Sequence, residues 1–290
     1  MITAGTEGFE ESDGELRRHR FFSRGLKVNL PTLRLFSLEG RVAIVTGGNR
    51  NIGLGLSRGL AGAGARVLIA NRDGQAGQAA AARLAADGYE VAAVEADVAD
   101  AAACKRMAQA ALDRWGRIDI LVNNAAVRVD KTALDHTPED FDWIMGVNVR
   151  GVLQAAQAVY PAMRERKWGR IINIGSISAR RGVWRRTSYS ASKAAVAGLT
   201  RGLAVEWADD GITVNTLSPG AVATPERPSD PSSPSAQATL RLIPLRRLSW
   251  PDDLVGLCVF LASEASAYLT GQDILIDGGW SLLMRPAASR

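Results

Sequence analysis

The sequence predicts an α/β fold, a single domain whose doubly wound parallel sheet of seven strands carries helices on both faces. Seven short β-branched runs are apolar on both sides, the pattern of strands buried between two helix layers. Helical stretches separate them, and this alternation implies parallel pairing through right-handed crossovers. Sheets of this kind bind ligands beyond the carboxyl ends of their strands.

The chain opens with a segment of different character. Over residues 1–36, Glu7, Glu10, Glu11, Asp13 and Glu15 give way to Arg17, Arg18, Arg20, Arg24 and Lys27, then to Leu30, Leu33, Leu35 and Phe36, with no sustained period. It reads as an N-terminal extension: a mobile tail whose last apolar residues rest on the domain, or an arm that contacts another subunit. The domain proper takes residues 37–290. Its strands are expected at Val42–Val45, Val67–Ala70, Val91–Val94, Ile118–Val122, Ile171–Ile174, Ile212–Leu217 and Ile274–Ile276. One helix is expected from about Ile52 to Ala63, stopped by Gly64, and an alanine-rich one over 75–86, stopped near Gly88. Thr137-Pro138-Glu139 supplies a capping hydroxyl, a proline at the first helical position and an acid in the first turn, so a helix begins there. From Thr224 to Pro244 proline and serine dominate, just after a strand; this irregular stretch is read as a substrate lid near 224–245, over the ligand edge.

Composition narrows the class. The 290 residues are 47% apolar and 22% charged, ordinary for a globular chain with a sizeable core. Thirty-five basic and 30 acidic residues are interspersed and leave a net charge of +5. With no reading motif beside so small an excess, nucleic-acid binding is not expected. No uncharged apolar run approaches the roughly 18 residues that span a bilayer, so no membrane span is expected. The acidic N-terminus lacks the apolar core of a secretory signal. Cys104 and Cys258 are too far apart and too few for a disulfide framework, which favours a reducing, cytoplasmic setting. His19 and His136 are the only histidines, and without a CxxC or HExxH pattern no metal site is expected.

Two clusters carry chemistry. The first strand ends in Thr46-Gly47-Gly48-Asn49-Arg50-Asn51-Ile52-Gly53, and a helix follows at once. A glycine turn opening a helix presents unpaired N–H groups and the positive end of the helix dipole, an anion site. A chain that reads a ribose 2′-hydroxyl places an acid about 20 residues further on, whereas 2′-phosphate readers use arginine. Here the second strand ends Ala70-Asn71-Arg72, with Asp73 one residue late, so Arg72 and Arg50 form a candidate two-cation clamp that favours NADP over NAD. The second cluster is Ser176, Tyr189 and Lys193. Spacing i, i+4 puts the last two on one helix face. Tyrosine's ordinary pKa of about 10 makes it a poor acid–base group near neutrality, and an adjacent ammonium favours the phenolate. Ser176 would hold a carbonyl oxygen beside it.

From about Leu38 to Leu283 the chain resembles the short-chain dehydrogenase/reductase family, and within it the oxoacyl-reductase and gluconate-dehydrogenase-like members. The shared marks are the Thr46 glycine turn, Asp97-Val98, Asn123-Asn124-Ala125, Asn148, the Ser176/Tyr189/Lys193 set, Pro219-Gly220, and Gly271-Gln272 through Asp277-Gly278-Gly279. The resemblance implies a Rossmann-type fold, a nicotinamide cofactor, hydride transfer between a carbonyl and a secondary alcohol, and a homotetramer. It makes Tyr189 the acid/base, Lys193 its tuner and a ribose contact, Ser176 the orienter of substrate and Asn148 the holder of a relay water. It places Asp97 and Val98 on adenine, Asn124 and Ala125 on the adenosine side, and Val222 and Thr224 at the carboxamide end, with Pro219 and Gly220, Asn71 and Arg72, and the turn residues Gly47, Asn49, Arg50, Asn51, Ile52 and Gly53 as further candidate cofactor contacts. Two positions depart from the pattern, Asn51 and Ala126, where the family has glycine. Asparagine tolerates the left-handed backbone, so the turn survives, with a side chain that either crowds a phosphate or donates to it.

Substrate identity is less legible. Val183 and Trp184, between Ser176 and Tyr189, are the candidate pocket residues, and Trp184 either stacks on substrate or caps the helix entry. Arg180, Arg181, Arg185 and Arg186 are either a solvated basic face or a means of recognising an anionic substrate. The leading reading is an NADPH-dependent ketoreductase, acting on a small carbonyl or alcohol. An epimerase or dehydratase on the same fold would need a larger C-terminal region, and a non-catalytic NADP-sensing module would have little use for the Tyr/Lys pair.

Overall fold

A computed structural model describes residues 31–224 and 233–282. Expectations for residues 1–30, and for 225–232 of the lid, lie outside the described residues. The elements follow the predicted alternation closely. A single turn, α1 (Pro31–Arg34), precedes β1 (Val42–Thr46), α2 (Asn51–Gly62), β2 (Arg66–Asn71), α3 (Gly74–Ala86) and β3 (Val91–Glu95). There follow α4 (Ala101–Trp115), β4 (Ile120–Asn123) and α5 (Pro138–Met145), which runs through a π-helical turn, Gly146–Arg150, into α6 (Gly151–Glu165). Then come β5 (Gly169–Ile174), α7 (Thr187–Glu206), β6 (Ile212–Pro219), α8 (Pro234–Arg241), α9 (Pro251–Ala262) and β7 (Asp273–Ile276).

All seven strands pair in parallel, in the order β3-β2-β1-β4-β5-β6-β7. The two-residue period of a strand divides the core between the faces. In β1, Val42 and Ile44 pack with the apolar stripes of α4 and α6, whereas Ala43 and Val45 pack with those of α2, α3 and α9. Strand order reverses between β1 and β4, and there the helices on either side diverge to opposite faces. A crevice opens at such a point, beyond the strands' carboxyl ends.

Local signals account for the element boundaries. Thr137 accepts a hydrogen bond from the Asp140 amide while the Asp140 side chain accepts from Thr137 N, a complete capping box with Pro138 at the first position. Asp73 and Asp100 cap α3 and α4 more simply, each side chain accepting one backbone N–H, from Ala76 and Ala102. The stretch expected to be irregular from Thr224 is not so throughout: α8 forms within it, because Ser233 accepts from Ala236 N and Pro234 takes the first position, the start signal read correctly at Thr137. Leu35 O accepts from Ala265 N, and the Phe36 ring lies 6.2 Å from that of Phe260, so residues 35–36 rest on the domain beside α9. Cys104 and Cys258 are free thiols whose burial pushes their pKa up to about 11 and about 12. Among the described residues no helix is long and apolar enough to cross a membrane.

The edge of the sheet opposite the crevice is held by one acid. Asp119 is fully buried; it accepts from Val42 N at 2.8 Å, from Arg117 at 2.6 and 2.7 Å, and from Arg41 at 3.3 Å. Removing it leaves a buried strand N–H and the partly buried Arg117 guanidinium without their acceptor, while Arg41 keeps its second partner, Glu264, at 3.0 Å. Asp119→Ala is expected to lower unfolding free energy by about 2–4 kcal/mol, and Asp119→Asn by less, since the amide oxygen still serves Val42 N. Urea titration checks this; a loss under about 1 kcal/mol in the alanine variant would show the cluster to be ornamental.

Candidate active site

The turn after β1 is fixed before anything binds. Thr46 Oγ1 accepts from the backbone N–H groups of Asn124 and Ala125 at 3.0 and 3.1 Å, and Asn124 Nδ2 donates back to the carbonyls of Thr46 and Gly47 at 2.9 and 3.0 Å. Gly47 has φ +62, and a Cβ at Gly53 would stand 2.1 Å from Gly47 O, so the turn closes on α2 only with glycine at both places. Asn51 adopts φ +49, the left-handed conformation that asparagine tolerates. No side chain caps the N-terminus of α2, whose first residues face a cleft of about 510 Å³.

Each residue expected at the cofactor lies on the wall of that one cleft. Gly47, Asn49, Arg50, Asn51, Ile52 and Gly53 come from the turn, Asn71 and Arg72 from the end of β2, and Asp97 and Val98 from beyond β3. Asn124 and Ala125 follow β4, while Pro219, Gly220, Val222 and Thr224 descend from β6. Asp73, the acid one residue late, caps α3, and Asn71 Nδ2 donates to its carbonyl at 2.7 Å. An adjoining recess of about 620 Å³ is lined by Arg50 and Arg72, and also by Arg83 of α3. Uncapped helix N–H groups, a glycine turn and cations suit an elongated phosphate-bearing ligand in their chemistry.

Ser176, Tyr189 and Lys193 line the same cleft. Ser176, two residues past β5, accepts from Ser178 N at 3.1 Å and stays 9% exposed. Tyr189 is in the first turn of α7, and Lys193 lies one turn on, its Nζ 5.7 Å from the Tyr189 ring centre. The ammonium donates to Ile174 O at 2.7 Å, pinning α7 to the end of β5, and burial lowers its pKa to about 8. A buried chain of side chains fastens α7 further along. Asn123 Nδ2 donates to Asn173 Oδ1 at 2.9 Å, Asn173 Nδ2 to Thr200 Oγ1 at 2.9 Å, and the Thr200 and Thr216 hydroxyls meet at 2.7 Å.

Other candidates sit elsewhere. Asn148 is fully buried in the π-helical turn and is not on the cleft wall. Its Oδ1 accepts from Val127 N at 2.8 Å; its Nδ2 donates to Val127 O at 2.9 Å and to Ser192 Oγ at 3.0 Å. Val183 and Trp184 are not on the wall either; Trp184 is 83% exposed, and Arg186 takes the cap position of α7. Arg180 pairs with Asp273, and Arg181 donates to Trp280 O. The wall also holds Val127, Arg128 and Gly175, which the sequence reading did not single out, and Arg186, grouped there with its neighbours. Asn123 was among the residues noted in the sequence, and a further signal for the buried chain was Asn173, a polar residue inside the run Ile171–Ile174.

Comparison with known proteins bears on the whole domain. A family model described as enoyl-(acyl carrier protein) reductase matches residues 47–281. The chain is 41% identical over 256 residues to the oxidoreductase UcpA of Salmonella typhimurium, covering 84% of this chain and 96% of that one. It is 37% identical over 247 residues to D-threitol dehydrogenase of Mycolicibacterium smegmatis, covering 85% and 95%. Among solved structures it is similar to a gluconate 5-dehydrogenase of Burkholderia cenocepacia in complex with NADP and tartrate, at 36% identity and a TM-score of 0.83, covering 87% of this chain and 100% of that one. Joined to the strand order, these likenesses make the chain an oxidoreductase that belongs to the short-chain dehydrogenase/reductase family.

Proposed function

We propose that this protein is an NADPH-dependent ketoreductase, moving a hydride between nicotinamide and a carbonyl or secondary alcohol, with Tyr189 as acid/base and Ser176, Lys193 and Asn148 in support. The observation that carries the reading is the convergence of Ser176 and Tyr189 with a buried lysine ammonium in the cleft that also holds the glycine turn. A structural relative crystallised with NADP supports a nicotinamide cofactor. Its phosphorylated form is favoured by Arg50, Arg72 and Arg83 around the recess, by the use of Asp73 as a helix cap, and by Arg72 itself, which forms no ion pair among the described residues. Phe141 and Trp143 on α5, half exposed, and Val205 on α7, exposed, support assembly through these helices into the homotetramer.

A nicotinamide held in this cleft would supply or accept the hydride when bound; the side chains manage the proton. Ser176 Oγ has a lone pair engaged by Ser178 N, which leaves its hydrogen for a substrate oxygen. Tyr189 donates its phenolic proton to that oxygen in reduction and takes it back in oxidation. The Lys193 ammonium stabilises the phenolate that results. Both polar atoms of the Asn148 side chain are committed to Val127 and Ser192. The Asn148 side chain therefore positions the Val127 loop against α7, which leaves the main chain for the relay role that the family resemblance gives this residue.

Three outcomes follow from these roles. NADPH should bind more tightly than NADH, and Arg72→Ala should narrow the gap by about 1–3 kcal/mol; equal dissociation constants in the unmutated protein would refute the clamp.

Tyr189→Phe should lose turnover by at least about 10²–10⁴-fold while NADPH still binds, the usual worth of general acid catalysis. Lys193→Met should lose activity together with cofactor affinity, and its residual alcohol oxidation should need higher pH. A folded, cofactor-bound Tyr189→Phe protein with near-normal rates would end the assignment.

The third concerns Lys193 in the cofactor-free protein. Its folded pKa of about 8 is below the unfolded value, so the unfolded chain binds more protons between about pH 8 and 10.4 and stability rises with pH across that window. Relative to Lys193→Met, the unmutated protein should therefore gain about 2–3 kcal/mol of unfolding free energy between pH 7 and pH 10. Denaturant titrations of both at the two pH values would expose a constant difference, the contrary result.

A further inference from the structure

Two guanidiniums share one carboxylate at the substrate end of the cleft. Arg128 stands on the loop after β4 and Arg186 at the entry to α7, and both line the cleft with Ser176 and Tyr189. Arg186 Nε donates to Asp130 Oδ1 at 3.1 Å, and Arg128 Nε lies 2.9 Å from the same oxygen. Two cations on one anion leave an unbalanced positive charge. A guanidinium carries five N–H donors; here the Nε groups face Asp130, and among the described residues the terminal nitrogens of both arginines have no acceptor. The side chains are 21% and 33% exposed, so water screens them only in part. Their neighbours differ: Arg180 and Arg181 are engaged by Asp273 and Trp280, away from the cleft.

We infer that Arg128 and Arg186 are specificity-determining residues for a small organic acid: their terminal nitrogens hold its carboxylate while its carbonyl or hydroxyl carbon faces Ser176 and Tyr189. The inference rests on the ketoreductase reading. A planar fork matches a carboxylate through paired N–H donors, and Asp130 holds both forks by their Nε side without occupying that edge.

Matched probes test it: levulinate against methyl levulinate for reduction, and D-gluconate against D-sorbitol for oxidation. The unmutated enzyme should favour at least one acid over its neutral partner by about tenfold or more in kcat/KM, as a charge-assisted contact gives. Arg128→Ala and Arg186→Ala should each bring that ratio toward one, chiefly through KM for the acid, with Arg186→Lys keeping part of it and the NADPH dissociation constant within about twofold. Calorimetry of the two acids on the NADP⁺-loaded enzyme gives a second readout: acid binding lost in the alanine variants supports the inference, and no acid binding overturns it. It is overturned equally by neutral partners that react as well as acids, or by variants that depress both alike. Either of those outcomes leaves the ketoreductase reading intact, whereas a protein that does not bind NADPH, or whose turnover survives Tyr189→Phe, fails at that earlier step.

Discussion

Thr46 and Asn124 fasten the end of β1 to the end of β4, and the cleft depends on that fastening. Four hydrogen bonds between 2.9 and 3.1 Å tie the two strand ends together where strand order reverses. Each contributes on the order of 1 kcal/mol to stability, but their larger effect is geometric. They hold Gly47 at positive φ and bring its carbonyl against Gly53, so that α2 begins where its dipole faces the crevice. A slip of one residue between β1 and β4 would turn Thr46 to the opposite face of the sheet and dismantle the turn.

A second set of constraints holds α7. The helix carries Tyr189 and Lys193 at its start and is fixed at both levels: Lys193 to Ile174 O, and Thr200 to Asn173 and Thr216. An apolar core would serve stability as well or better, since buried polar groups cost desolvation and must be fully paired. The chain of amides and hydroxyls instead admits a single register of α7 against β4, β5 and β6, which apolar side chains of similar volume would not specify. Local rules are broken in the same neighbourhood: a lysine buried at a cost to its own charge, an asparagine at φ +49, a π-helical turn around Asn148. Proteins confine such violations to places where the site needs them.

The strands and most helix starts were legible because the physics that forms them is periodic or local. Val42–Val45 is apolar on both faces whichever protein it belongs to, and Thr137-Pro138 caps a helix without help from the rest of the chain. The α8 helix was missed although Ser233-Pro234 carries the same signal, because a proline- and serine-rich surround reads as loop. The convergence of the expected cofactor residues on one cleft could be read since they sit at strand tips, whose order the alternation dictates. The cluster of Arg128, Asp130 and Arg186 could not. Trp184 attracted attention by size and lies exposed, whereas Arg128 and Asp130 sit on a loop that no period governs and meet Arg186 from a distant part of the chain.

The charges of the cleft follow the same division between strand tips and loops. Cations reach the cleft wall from several elements, Arg50 and Arg72 from the turn after β1 and the end of β2, Arg128 and Arg186 from the loop after β4 and the entry to α7, and the buried Lys193 ammonium from α7 itself. Alone, Lys193 is held down in pKa by desolvation, so its charge is the least secure of the set. On the proposed reading, every anion that enters, a cofactor phosphate or a substrate carboxylate, lowers the energy of the ammonium form and moves its pKa back upward. That is the form which favours the Tyr189 phenolate. Binding of the two anionic ligands and readiness for proton transfer are then linked through one buried charge, and the cleft is fully charged for catalysis only when it is full.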